Sequence, residues 1–521
     1  MDTSQSGNQP IIPDQSSSHQ GNQKLRRIEK VFLWIGTFLF IGMTALGIYA
    51  IISHSDILAA VILFMIAALA IPLGVIQIWP EIKIHIRQSL LVGISIFICL
   101  LLVLSSLIGT SFLFPSPAVR VFPPLRVLFP TSQKIRIAVD MPLSGRSKSD
   151  GKSIADGAHF AIDQANKTNM IPGYTLEYVE YDDTGPNGIF SPEVGVQNMT
   201  TAIDDGLTGA IIGPMNSSVA AKAIPVTNQA PIALISPATT NPCLTKIHET
   251  DCADEPNLPD DLRPTGRVTF FRLPATDDLQ AKDWAQYLRE KKSYHTAYII
   301  YDINDLYSNG FASAFIKEWQ AAGGTFVAPA ANEPAPGSIA RYEKLLRQLP
   351  VAPDVIFFAG TIPGATYARQ AVANIPDLNK TAFLGGGGIV EDSFATTIGR
   401  LGGGPVFGSV PLVDTSRSQF RTDYEAAGYT NYRPYTAGAY DCTMIVVHAI
   451  KAVLASGIQP PRGSWDQDGA KVFRQAVIDA IAQIHYDGVT GSHQFNADGD
   501  STNEQRSNYQ LVDSTWTLLQ P

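Results

Sequence analysis

Residues 134–521 predict an α/β fold in two lobes, and three observations carry that expectation. Short apolar runs alternate with segments of helical periodicity, as in KIRIAVDMPLSG, GAHFAIDQAN, YTLEYVEYDD and GAIIGPMNSS. The alternation pauses in a Pro- and Asp-rich stretch and then restarts. The segments after the strands are rich in Ser, Thr, Gly and Asp, where open parallel sheets place their ligands. Two consecutive α/β halves imply a crevice between them for a small molecule.

The elements follow in order. Ile135–Asp140 reads as a buried parallel strand, short and continuously apolar. Ser153–Asn166 places Ile154, Ala158, Ala161, Ile162 and Ala165 on one helical face. Tyr174–Tyr181 predicts a strand, Val194–Asp205 a helix, Gly209–Ile212 a strand, Val219–Asn228 a helix and Pro231–Ile235 a strand. After the irregular stretch come helix Asp278–Glu290, strand Thr296–Tyr301 and helix Gly310–Ala322. Strand Val355–Ala359, helix Thr366–Asn374 and strand Ala382–Leu384 continue the pattern. Tyr435–Ala455 and Asp468–Ile484 read as two further helices. Gly491–Leu519 reads as a β-rich return with a turn at Asn496–Asp500.

The chain is too long for one core at 521 residues. Its mean hydropathy of +0.06 is high for a soluble protein, and the excess lies near the N-terminus. Residues 1–30 form a polar tail ending in Lys24, Arg26, Arg27 and Lys30, expected to be disordered and cytoplasmic. Val31–Ser53, Ile57–Trp79 and Leu90–Phe114 are uncharged runs, the first about 35 Å long as a helix, so three transmembrane helices are expected over 31–114. Basic residues before the first run, and Lys83 and Arg87 between the second and third, put those segments inside. That topology predicts a multi-pass protein of the cell membrane with residue 115 onward on the extracytoplasmic side. Residues 115–133, with five prolines, read as a stiff spacer.

Net charge is −9, with no dense basic cluster beyond the membrane flanks, so nucleic acid is not an expected partner. The four cysteines lack zinc spacing, and no metal or cofactor is expected. Cys243 and Cys252 share a Pro- and Asp-rich loop that the topology exposes to an oxidising compartment, and a disulfide between them is expected. Cys442 lies on an apolar helix face and reads as a buried free thiol. The stretch from Gly145 to Ser153 is one residue too long for a phosphate loop, and Ser149–Lys152 lacks the partner motifs of a Ser-x-x-Lys nucleophile. NADGDS at 496–501 hints at calcium but reads better as a β-turn. No nucleophile–base set can be assembled, so the chain is not expected to be an enzyme.

KIRIAVDMPLSG, GAHFAIDQAN, YDD, GPMNSS, SPATT, FFRLPATDD, IIYDINDLYSNG, FFAG and GVTGSHQFNADGD occur in that order. With them, residues 134–521 resemble the type I periplasmic binding proteins, in the branched-chain amino-acid (Leu/Ile/Val) binding subfamily. The resemblance implies a two-lobe fold, each lobe a parallel sheet flanked by helices. Lobe one would span 134–272 plus 414–490, and lobe two 273–413 plus 491–521, with three hinge crossings. It implies capture of a small polar ligand (an amino acid, amide or carboxylate) for an ABC-type permease. A sensor that signals through a partner membrane protein is the alternative, since the cytoplasmic segments contain no output domain.

The resemblance also places site residues. Ser217, with Ser218 beside it, matches the hydroxyl that meets the ligand carboxylate at a helix N-terminus, although an ordinary N-cap would leave the same sequence. Ala238 and Thr240 match the positions that hold carboxylate and ammonium, and Tyr307 matches an aromatic of lobe two. Three positions depart. Asp150 and Thr361 stand where the family has aromatics, and Gly387 stands where it has the acid that pairs with the ligand ammonium. A buried ammonium without a carboxylate costs several kcal/mol. Asp150, Asp302 and Asp305 are the candidate substitutes.

Overall fold

A computed structural model of the protein describes residues 133–246 and 261–519. The expected tail, membrane spans, spacer and Cys252 lie outside the described residues.

The first sheet contains β1 (Gln133–Met141), β2 (Tyr174–Asp182), β3 (Thr208–Ile212), β4 (Ala233–Ser236) and β5 (Phe270–Arg272) in the order β2-β1-β3-β4-β5. All four pairings are parallel. Residues Ile137, Ala138 and Val139 of β1 are fully buried, as a strand covered on both faces requires. Between the strands run α1 (Lys148–Lys167), α2 (Pro192–Asp204) and α3 (Ser217–Gln229).

The second sheet begins after the crossover, which leads into α4 (Asp277–Glu290). It then takes β6 (Thr296–Tyr301), α5 (Leu306–Ala321), β7 (Thr325–Phe326), β8 (Ala331–Asn332), α6 (Ile339–Leu346), β9 (Val355–Ala359), α7 (Gly364–Asn374), β10 (Ala382–Gly385), α8 (Asp392–Ile398) and β11 (Val406–Val410). The chain returns to lobe one with α9 (Gln419–Ala426), α10 (Thr436–Ala455) and α11 (Gln467–Ala482). A hairpin of β12 (Tyr486–Gly488) and β13 (Gly491–His493) follows. β14 (Ser507–Val512) and β15 (Thr515–Leu518) then close the second sheet antiparallel to β11, in the order β15-β14-β11-β10-β9-β6-β7 with β8 also on β6.

Helix α10 explains how lobe one is completed by residues so far along the chain. It has the length and hydropathy of a membrane span, yet 72% of that apolar window is buried in the protein. Its Ile445, Val446, Val447 and Ile450 join Ile154 and Ile162 of α1 and Phe473 and Val477 of α11 in one core against the sheet. Cys442 of α10 is the buried free thiol expected. Arg474 of α11 is buried and donates to the carbonyls of Thr208 and Ile203, fastening that helix to the end of β3.

The hinge is where the connecting segments touch. The Ala275 amide donates to Pro411 O at 3.0 Å, and Ser507 Oγ donates to Leu412 O at 2.9 Å. Buried Arg272 donates to Asp500 Oδ1 at 2.7 Å, to Asn241 O at 2.6 Å and to the Thr245 hydroxyl. The NADGDS turn is therefore a hinge part. Asn496 Oδ1 accepts from the amides of Asp498 and Asp500, and the Asp500 carboxylate faces Arg272.

Candidate functional site

The lobes meet over a cleft, and the loops after the strands line it. From lobe one come Asp150 at the start of α1, Asn216 and Ser217 at the start of α3, and Ala238 and Thr240 after β4. From lobe two come Gln280 of α4, Tyr307 of α5, Thr361 after β9, Gly387 and Gly388 after β10, and Glu391. Tyr435, just before α10, completes the wall. Seven of the eight ligand candidates thus share one cleft, and the exception is Ser218. Its hydroxyl donates to Asp305 Oδ1 at 2.9 Å and accepts from the Leu306 amide at 3.0 Å, so it clasps the two lobes and does not face the cleft. Helix α3 begins two residues earlier than its apolar periodicity indicates, which rotates Ser218 onto the lobe–lobe face. Asn241 Nδ2 adds a second clasp, donating to Leu306 O at 2.7 Å. Gly310 makes room for it, since a Cβ there would lie 2.3 Å from Asn241 Nδ2.

On the lobe-one wall, Asn216 is the N-cap of α3 in extended conformation, and its side chain makes no capping bond. Its Oδ1 is buried without a partner. The open first turn suits an anion, because unpaired N–H groups and the positive end of the helix dipole converge there. Ser217 is buried, and its Oγ accepts from the Asn241 amide at a long 3.5 Å. Ser236 shapes the next loop. Its Oγ accepts from the amides of Ala238 at 3.2 Å and Thr239 at 3.0 Å, so the Ala238 N–H is already committed inside the protein.

A buried acid lies at the start of α4. Asp277 is fully buried at the helix N-terminus. Its amide donates to Thr240 O at 3.0 Å, and Gln280 Nε2 donates to its Oδ1 at 3.1 Å. Its Oδ2 has no partner. Burial pushes the Asp277 carboxyl up to about 8, against the pull of Thr240 and Arg272. At position 387 itself, a Cβ would lie 2.1 Å from the Tyr435 hydroxyl, so the phenol fills the space where an acidic side chain would begin. Two of the proposed substitutes are used elsewhere. Asp302 accepts from the amides of Asn304 and Ala335 outside the cleft, and Asp305 is held by Ser218. Both were plausible from sequence because they flank Tyr307, but their loop turns them to backbone amides.

Asp150, the third substitute, does line the cleft. Arg433 Nη1 lies 3.3 Å from its Oδ1 and 3.2 Å from Glu391 Oε2 of the opposite lobe. Burial, then the neighbouring Asp150 carboxyl, pushes Glu391 up to about 9. Tyr307 packs on Phe311, with ring centroids 5.8 Å apart, and its hydroxyl lies where a Cβ at Gly386 would be.

The sequence profile of periplasmic binding proteins matches residues 134–514. The chain belongs to the periplasmic binding protein family. A Leu/Ile/Val-binding protein of Rhizobium johnstonii is 27% identical over 363 residues, covering 68% of this chain and 88% of that protein. An amino-acid binding protein of Pseudomonas aeruginosa is 26% identical over 57% of this chain and 74% of its own length. Among solved structures, the branched-chain amino-acid transporter substrate-binding protein of Streptococcus pneumoniae, in complex with isoleucine, superposes with a TM-score of 0.59 at 20% identity, covering 75% of this chain and all of that one. A leucine-binding protein of Thermotoga maritima gives 0.58 at 18%, covering 74% and 98%. The fold is thus the two-lobe type I architecture, and the family is one of solute binding, not of catalysis.

Within that family frame, Gln280, Glu391 and Tyr435 are the cleft residues that sequence reasoning missed, with Asp277 buried next to Gln280 and Thr240 and Arg433 paired to Asp150 and Glu391. Asp277 and Asp278 open a helix, where acids are ordinary dipole partners, so nothing local marked Asp277 as special. Glu391 sits four residues past Gly387, beyond the position the resemblance pointed to.

Proposed function

We propose that this protein captures an α-amino acid between its two lobes. The observation that carries the reading is Asp277, a buried carboxyl with one oxygen unpartnered, joined by its amide to Thr240 of the cleft wall. An ammonium placed there would supply the missing donors and restore the ionised form. The ligand carboxylate would meet Ser217 and the open first turn of α3, with Ala238 and Thr240 beneath it. Tyr307, Thr361, Asp150 and the Gly387 backbone would form the remaining walls. The relatives that bind leucine, isoleucine and valine support the amino-acid class.

Three membrane spans over 31–114 would hold the binding domain on the extracytoplasmic face of the cell membrane, and an ABC permease would take the ligand onward. Co-purification of a permease supports that step; co-purification of a signalling kinase instead supports the sensor alternative. On that side of the membrane Cys243 would pair with Cys252, contributing about 2–3 kcal/mol. Thiol counting on the unfolded chain checks this, because one unblocked thiol fewer than four rules out the pairing as surely as four do, whereas two free thiols support it.

Thermal unfolding of the full-length chain tests the amino-acid reading. Lysine and leucine would each be compared with the analogue lacking the α-amine (6-aminohexanoate, 4-methylpentanoate) and the one lacking the carboxylate (cadaverine, isoamylamine). A ligand at about 100 times its Kd stabilises by about 2.7 kcal/mol. An intact amino acid should raise the midpoint and its two analogues should not. A midpoint raised equally by the des-amino acids would remove the ammonium subsite from the reading.

A further inference from the structure

An ionic bridge joins the two lobes at the edge of the cleft. Arg433 Nη1 lies 3.3 Å from Asp150 Oδ1 of lobe one and 3.2 Å from Glu391 Oε2 of lobe two. Each member is held from behind. The Arg433 amide donates to the Thr436 hydroxyl at 2.9 Å, and its Nε donates to Asn431 Oδ1 at 3.3 Å. Asn431 Nδ2 in turn donates to Ser149 O at 2.7 Å, beside Asp150. From lobe two, Trp516 Nε1 donates to Glu391 O at 3.2 Å, and Ser393 Oγ donates to Glu391 Oε2 at 3.4 Å. Glu391 is buried, and an ion pair so shielded is costly to break on one side only.

The bridge is also a partition. Asp150 and Glu391 line the cleft, which encloses about 60 Å³. Arg433 lines a second chamber, of about 230 Å³, with Tyr432, Tyr509 and Trp516. Val390, Glu391 and Pro434 belong to both linings, so they stand between the two spaces. The lobe-two wall of the cleft is equally close-set. The Tyr307 and Tyr435 hydroxyls occupy the places where side chains at Gly386 and Gly387 would begin. A water-sized group needs about 10–15 Å³ of such space, so the cleft has room for about four to six of them. An amino acid brings five non-hydrogen atoms before its side chain is counted.

Resting on the amino-acid reading above, we propose that this protein selects amino acids with a small side chain, of the size of alanine or serine. Glu391, backed by Arg433, ends the cleft before a longer side chain can enter. A leucine side chain would have to push Glu391 off Arg433, stranding a buried carboxylate, or to part the lobes that the bridge joins. Either distortion weakens binding without abolishing it. Glu391 is thus a specificity-determining residue, and Arg433 is the positioning residue that holds it in place.

Titration calorimetry of the full-length chain with L-alanine, L-serine, L-leucine and L-norleucine tests this. Alanine or serine should bind about ten-fold or more tightly than leucine or norleucine. Glu391→Ala opens the partition while leaving Arg433 paired with Asp150. It should raise the affinity for norleucine relative to alanine by about ten-fold, because the longer side chain gains the second chamber. Glu391→Gln keeps the bulk of the wall and should keep the preference for small side chains. Arg433→Ala should shift the ratio in the same direction as Glu391→Ala, and serves should that variant fail to fold. Leucine or norleucine binding to the native chain as tightly as alanine would overturn the proposal and leave the amino-acid reading standing. An unchanged ratio in the opened variant would overturn it too. If no amino acid binds, small or large, both readings fall.

Discussion

Tyr435 keeps its hydroxyl where a side chain at position 387 would start, and that one contact explains why Gly387 can be nothing else. Even a methyl group there would meet the phenol oxygen at 2.1 Å. Gly387→Ala should therefore weaken ligand binding by about ten-fold, equivalent to about 1–3 kcal/mol of overpacking. Adding Tyr435→Phe, which removes the colliding atom, should recover most of the loss. A double-mutant cycle by calorimetry reads the coupling, and additive losses would show that the contact does not govern position 387. Asp277 makes the complementary case. Asp277→Asn should raise the ligand Kd about 30-fold or more, about 2 kcal/mol, by removing the charge opposite the ammonium. It should not lower the unliganded melting midpoint at alkaline pH, because it also removes an acid that is costly to ionise in place. These residues mark the limit of what the sequence shows about the site. Ser217, Thr240 and Tyr307 were readable because hydroxyls and aromatics recur at fixed places in ordered motifs. The proposed role of Asp277, 110 positions before Gly387, depends on which loops face each other, and no local pattern encodes that.

Among the elements, long ones were legible and short ones were not. Strands β1 to β4 and helices α1, α10 and α11 carry enough apolar positions to declare a period. Helices α6, α8 and α9 have seven or eight residues each, so two turns supply too few positions to show one. Strand β11 was missed because Gly408 interrupts it, although the strand is wholly buried. Gly408 is packed against Val390 and Trp516, where a Cβ would lie 2.6 Å from Val390 Cγ2. The hinge turn was legible as a turn, but its partner was not: Asp500 meets Arg272 across 228 positions. Arg272 is the element most exposed to a single change. Removing its guanidinium as Arg272→Met would strand the Asp500 carboxylate and the Asn241 carbonyl in a buried site. We expect a loss of about 3–5 kcal/mol in denaturant unfolding. The paired variant Arg272→Met/Asp500→Leu should be less unstable than the single one, and equal instability would mean that packing, not the stranded charge, sets the cost.

For the whole molecule, we expect closure of the lobes to be linked to protons. Three carboxyls near the lobe boundary are raised in this structure. Asp305 is pushed up to about 6 by burial, against the Ser218 bond and the amides of Tyr307 and Ser308, with Asp302 adding repulsion. Asp277 stands at about 8 and Glu391 at about 9. Opening the lobes rehydrates all three and returns them toward ordinary carboxylate values near 4. The sign follows directly. A raised acid binds more protons in the closed form than in the open one, so closure is favoured at low pH and lost as pH rises through about 6 to 9. A bound α-ammonium would oppose that loss at Asp277, because it stabilises the ionised carboxyl that high pH produces. The Leu306 amide, which donates to Ser218 Oγ across the boundary, reports on closure. Its hydrogen exchange, corrected for intrinsic base catalysis, should lose protection between pH about 5.5 and pH about 9 in the unliganded chain. The ligand should restore it at the alkaline end. Protection in core strand β1, buried within one lobe, should stay level over the same range and so distinguish lobe opening from unfolding. Leu306 protection that does not change with pH would mean that closure is held by the neutral clasps at Ser218 and Asn241, with the acids as bystanders.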